Sequence, residues 1–269
     1  MRRNLLAICL LPVSVFALDE KPLLSAQSFE GGLRLTSVGT YYVVDDNGDF
    51  QDAAVPTLPT STSMEATFKY GMSENSDLEV VLPWVYRDKD WALLEGRKKE
   101  SYAGCDRLSL AAKIGILKYP AGLIVGFDVP VGHTKIVGFD PDWGFFGGVW
   151  GGYRKGIWWA DGVFSWGVTP ENASGFKPGD RQSMVANGGF QLEGGVAPQF
   201  GFSYQRVGQV QQDGKSQGFE TSSFQVLPGA VLELDEDWRL DVKIPAVLAG
   251  RNAFVNAGLS VHVIGNFEP

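Results

Sequence analysis

The chain has 269 residues, 44% of them hydrophobic, with 34 glycines and a formal net charge of −8. A mean hydropathy of −0.04 excludes a multi-span helical membrane protein, though not a β-barrel, whose polar interior dilutes its apolar outside. The acidic balance argues against nucleic acid as a partner, and the length fits one large all-β unit as well as two smaller domains.

The start reads as a secretory leader. Arg2 and Arg3 precede an apolar run from Leu5 to Phe16, and Val15 and Ala17 are the small residues a signal peptidase reads. The run is too short to span a bilayer as a helix. Leu6-Ala7-Ile8-Cys9 looks like a lipoprotein signal, but it lies too near the N-terminus to leave an apolar region before it. The expected division is therefore residues 1–17 leader, 18–28 periplasmic lead and 29–269 barrel. Cleavage leaves Cys105 as the one cysteine, so no internal disulfide is expected.

Period-two alternation then recurs along the chain, as expected for strands with two unlike faces. The predicted strands run roughly over 31–44, 62–72, 78–87, 106–118, 122–131, 144–154, 156–168, 184–192, 199–205, 220–234, 238–244 and 254–267. One face carries residues such as Leu33, Leu35, Met64, Phe68, Leu82, Leu110, Val125, Phe200 and Leu240. Trp150, Trp158, Phe164 and Trp166 are assigned to this face too, with Trp159 and Asp161 on the other. Pro83 weakens the third strand, and Pro228-Gly229 is expected to interrupt the tenth as a bulge or bend. Asp45-Asp46-Asn47-Gly48-Asp49 opens like a calcium loop, but its twelfth position is Pro56, so a polar turn is expected instead.

The connections alternate long and short, with the last outer one short. Outer-membrane barrels segregate loops in this way; soluble sandwiches have no reason to. No edge can be left open to lipid, so closure is the physical solution. The reading is an all-β, transmembrane, antiparallel up-and-down β-barrel of about twelve strands, with short periplasmic turns and longer extracellular loops. An even count puts both termini in the periplasm of a bacterial cell's outer membrane. A secreted soluble β protein is the remaining alternative.

The polar face carries the candidate lumen-lining residues: Arg34, Glu65, Lys69, Glu79, Arg107, Lys113, Asp128, Trp159, Arg239, Asp241, Lys243 and His262. Charge on the lipid face costs a few kcal/mol near the midplane, roughly 2–4 for Arg or Lys, so this segregation supports the register. Such a lumen could sort solutes by charge and size; the same charges could instead pair up and plug it. The other tryptophans suit interfacial belts. His133 lies in the third long loop near Asp140 and Asp142, with no nucleophile motif beside it. No cofactor, metal site or enzymatic activity is expected, and no plug-like domain is visible.

The last strand ends on Phe267, followed by Glu268 and Pro269. It resembles the closing strand of outer-membrane barrels, whose terminal aromatic residue is read by the barrel-assembly machinery. Leu108-Ser109-Leu110-Ala111-Ala112-Lys113-Ile114 and then Gly126-Phe127-Asp128-Val129-Pro130-Val131-Gly132 resemble a lysine-bearing strand, turn and Pro-x-Gly hairpin. So does Thr67-Phe68-Lys69-Tyr70-Gly71 before Leu78-Glu79-Val80. These stretches are similar to the outer-membrane transporter family associated with the meta-pathway of phenol degradation. The resemblance implies a porin-like barrel that passes a small, aromatic or hydrophobic solute across the outer membrane, and the lack of a nucleotide-site motif in the sequence makes passive diffusion the expected mechanism. Its expected partners are outer-membrane lipid, the assembly machinery and the solute. A non-conducting structural or surface-interaction barrel is the alternative.

Overall fold

A computed structural model describes residues 23–45, 47–52, 60–87, 102–105, 107–116, 120–131, 143–172, 175–217 and 220–267. The leader with its cleavage point, and the loop carrying His133, lie outside the described residues. The strands in chain order are β1 (Phe29–Val44), β2 (Phe50–Asp52), β3 (Thr60–Ser73), β4 (Ser76–Arg87), β5 (Tyr102–Cys105), β6 (Arg107–Gly115), β7 (Ala121–Pro130), β8 (Gly144–Lys155) and β9 (Trp158–Val168). They continue with β10 (Phe176–Lys177), β11 (Arg181–Phe190), β12 (Val196–Val207), β13 (Val210–Gln212), β14 (Lys215–Gln217), β15 (Thr221–Glu233), β16 (Trp238–Lys243), β17 (Ala246–Arg251) and β18 (Ala253–Phe267).

Each long strand pairs antiparallel with the next, and β18 returns to β1, from Phe29 opposite Phe267 to Val44 opposite Ala253. The result is a closed twelve-stranded antiparallel barrel, in which β5 with β6, and β16 with β17, each act as one stave. Both ends of the barrel's chain lie at the end of the short turns. Those turns follow β3, β6, β8, β11 and β15. At the two-residue turn after β8, Gly156 takes φ +61, a left-handed conformation that glycine tolerates best. At the opposite end β10, β13 and β14 form a small sheet that ties two long loops together.

Alternation fixes what each face meets. Leu35, Phe68, Val149, Phe200 and Leu259 are at least half exposed, while Val81, Ile124, Glu79 and Lys113 on the other parity are almost fully buried. An apolar band around the whole outside is far larger than water tolerates on a soluble protein. Aromatic pairs rim the short-turn end of this band: Phe29 with Tyr70, Trp158 with Phe190, and Trp238 edge-on to Phe267. The barrel thus presents a lipid-facing exterior with interfacial anchors.

Two local expectations are corrected. Trp150 faces inward, not to lipid: only 3% of it is exposed, and its indole N–H donates to the Leu123 carbonyl at 3.1 Å. The second concerns the proline-glycine pair. β15 runs through Pro228-Gly229 without a break, and the interruption falls on its neighbour, between β16 and β17 at Ile244-Pro245. Pro228 still accepts from Ile244 N at 2.8 Å. It lacks only a donor, and the ladder parts opposite it at Ile244, where a second proline, Pro245, follows.

Candidate functional site: the barrel interior

The interior has two unlike walls. The first is charged and runs over β1, β3, β4, β6 and β16–β18. Glu30 is its hub: it accepts from Lys69 Nζ at 2.8 Å on one side and Arg239 Nη2 at 2.8 Å on the other. Four residues further along β1, on the same face, Arg34 meets Glu65 Oε1 at 3.0 Å and His262 Nδ1 at 3.3 Å. A guanidinium can only donate, so that imidazole nitrogen accepts. Lys113 pairs with Glu79 at 3.1 Å, the two side chains only 2% and 1% exposed. Lys243 holds Asp241 at 2.9 Å, and Gln199 donates to the same carboxylate. Buried charges survive only when paired in this way.

A second charge cluster lies towards the long-loop end. Asp128 on β7 takes Ser109 Oγ at 2.7 Å, Arg107 at 3.4 Å and Arg181 from β11. Arg181 reaches across β9 and β8 to get there. It passes over Gly167 and Gly144, where a Cβ would meet its guanidino nitrogens at ordinary contact distances of 3.8 and 3.4 Å.

The second wall is aromatic and spans β6–β11. Trp150, Phe146 and Trp159 each lie over a glycine directly opposite on the neighbouring strand: Gly122, Gly126 and Gly189. A Cβ on Gly122 would come within 2.7 Å of the Trp150 ring, and one on Gly189 within 2.8 Å of the Trp159 ring. The rings pack flat because these partners have no side chain. Ala111, Ile124, Trp150 and Val163 form one apolar cluster with Phe146 beside it. Asp161 on the same wall accepts from Asn187 Nδ2 at 3.0 Å.

All twelve side chains chosen from the sequence lie on this inward parity: Glu65, Lys69, Glu79, Lys113, Asp128, Trp159, Asp241 and His262 are buried, and Arg34, Arg107, Arg239 and Lys243 are partly so. The geometry brings most of them into pairs but keeps Trp159 away from the charged wall. The sequence missed Glu30, Asp77, Arg181, Gln199 and Phe146. Parity could have found Glu30 from Arg34, and Asp77 from Glu79. Arg181 falls outside the expected strand at 184–192. Phe267 faces outward, half exposed. Asp45 Oδ1 accepts from the backbone of Asn47 and Asp49, an ordinary polar turn. Among the described residues no cluster suits a metal ion.

Solved structures share this architecture. An outer-membrane channel of Pseudomonas putida F1 aligns with a TM-score of 0.72 at 16% identity, over 91% of this chain and 97% of that one. The fold is that of an outer-membrane barrel. The β-domain of a Bordetella autotransporter, BrkA, aligns at 0.52 with 10% identity, over 90% of this chain and 100% of that one. CymD, a monoaromatic hydrocarbon channel, aligns at 0.50 with 8% identity, over 91% and 90%. No protein-family model matches the chain, and no curated protein matches it.

Proposed function

We propose that this barrel is an outer-membrane channel that lets a small solute cross by passive diffusion. One observation carries the reading: within the closed barrel, Arg34, Lys243, Arg107 and Arg181 keep side-chain exposures of 16, 16, 14 and 22%. Water therefore reaches charges along the interior, as a solute path requires. The shared fold of outer-membrane channels is consistent with this. The aromatic wall, the resemblance to the phenol-degradation family and CymD's substrate class support an aromatic or hydrophobic solute. Both termini and the short turns then face the periplasm, and Phe267 is the group offered to the assembly machinery. The barrel performs no chemistry of its own.

The near-complete burial of Lys113 and Glu79 favours a second reading, a barrel that side chains fill and that serves only as a structural or surface-interaction protein. Planar-bilayer recording of the refolded mature chain, beginning at Leu18, separates the two. Discrete current steps are expected, and Arg107→Glu should move the ion preference towards cations. Silence from a barrel shown to be folded by heat-modifiable migration overturns the channel.

A further inference from the structure

The segment ahead of β1 turns into the short-turn end of the barrel. Ser28 Oγ donates to the Ser25 carbonyl at 2.6 Å, and Gln27 N donates to the Gly71 carbonyl at 2.7 Å. Leu24 N donates to Asp77 Oδ1 at 3.1 Å. Leu24 is buried, and Leu23 packs against the apolar cluster of Ala111, Ile124, Trp150 and Val163 on the far wall. Residues 23–28 thus form a strap that runs from β1, past the charged side of β3 and β4, to the aromatic wall.

Two inward glycines show that the walls are shaped around it. Neither Gly71 nor Gly115 has left-handed backbone, so neither is demanded by its own conformation. A Cβ on Gly71 would stand 2.0 Å from the Ser25 carbonyl oxygen and 3.2 Å from Leu24 Cβ. One on Gly115 would stand 3.0 Å from Leu23 Cδ1. Gly71 N also donates to the Ser28 carbonyl at 3.0 Å, and Gln27 sits at φ +67, which residues with side chains adopt rarely.

We propose that the seat made by Ala111, Ile124, Phe146, Trp150 and Val163 is a binding subsite for a small neutral hydrocarbon group, branched or aromatic, and that Leu23 is its tethered occupant, displaced when a solute binds. The proposal rests on the channel reading. The seat presents no charge, and the one polar atom of Trp150 is taken up by the Leu123 carbonyl. An ionic or strongly polar solute would lose its hydration there without replacement. An apolar group the size of a leucine side chain loses nothing and releases the strap.

Amide hydrogen exchange of residues 18–28, in the folded mature chain, tests this with isopentyl alcohol, which carries leucine's branched end. The alcohol should raise exchange at Leu24 and Gln27 several-fold and saturably. Gly71→Ala should do so without alcohol, by pushing on the strap's backbone, and Asp77→Ala should do so by removing an anchor without adding atoms. Ala111→Phe, which fills the seat, should abolish the response to alcohol. Exchange unmoved by alcohol, in a barrel whose Gly71→Ala and Asp77→Ala forms both exchange faster, overturns the subsite and leaves the channel standing. Release of the strap with no current from any form overturns the channel and leaves the subsite standing.

Discussion

β3–β4 and β8–β9 are built on the same outer rule and opposite inner rules. Outside, both show lipid alternating apolar side chains: Met64 and Leu82 on one pair, Val149 and Phe164 on the other. Inside, β3–β4 carries Glu65, Lys69, Asp77 and Glu79, each close to an opposite charge or a backbone donor. β8–β9 carries Phe146, Trp150 and Trp159 above glycines. The bilayer dictates one face only. The other is free to differ around the circumference, and a solute path can therefore have a polar side and an apolar side.

The sharpest break of that contrast is on the charged wall. Lys113→Met strands Glu79, 1% exposed, and should cost about 3–5 kcal/mol. Adding Glu79→Met should recover most of the loss, which urea unfolding of the parent and the two variants would show. The outer face should behave alike on both walls. Leu82→Arg and Val149→Arg, each at mid-strand, should each cost about 2–4 kcal/mol. A large difference between them would mean that the two walls do not sit at the same depth.

How much of this was legible follows from the same contrast. On β3, and on β4 as far as Glu79, polar and apolar residues alternate, so the sequence shows which side chains turn inward. On β8 it does not. Gly147, Gly148, Gly151 and Gly152 carry no face signal, and Phe145 and Phe146 put an aromatic ring on each face. Trp150 therefore reads as outward in the sequence and turns inward in the barrel. The pairing partners across strands, such as Arg181 with Asp128 past two intervening strands, depend on register that no single strand encodes. The strap was invisible for another reason: Leu23-Leu24 stands in a short polar lead with no period, and only the closed barrel supplies a surface for it. Proline misled about position, because a missing donor shows up on the strand that faces it.

Glycines on the aromatic wall offer a finer test. A Cβ at Gly148 would lie 2.0 Å from the Phe164 carbonyl oxygen, so Gly148→Ala must move a strand and should cost about 1–3 kcal/mol. At Gly167 the nearest atoms would be 3.5 Å away, and Gly167→Ala should stay within about 0.5 kcal/mol of the parent. Equal effects at the two sites would mean that strand propensity, not close approach, selects these glycines.

The smallest effect sets a buried pair against an exposed one. At the long-loop end Arg206 grips Glu220 with two bonds, Nε to Oε1 at 2.7 Å and Nη2 to Oε2 at 2.6 Å, beside a crevice lined by Trp166, Lys177 and Gln182. Both side chains are about 40% exposed. Water and salt screen such a pair, so Glu220→Gln should cost only about 0.2–1 kcal/mol. The hydrogen bond from Arg206 holds the Glu220 carboxyl below its ordinary range. Its contribution is therefore present above the ordinary carboxylate pKa and fades as pH falls through the lowered value. The parent and Glu220→Gln should converge in acid and in high salt, whereas the loss in Lys113→Met should survive high salt, because its partner is sealed from the solvent that does the screening.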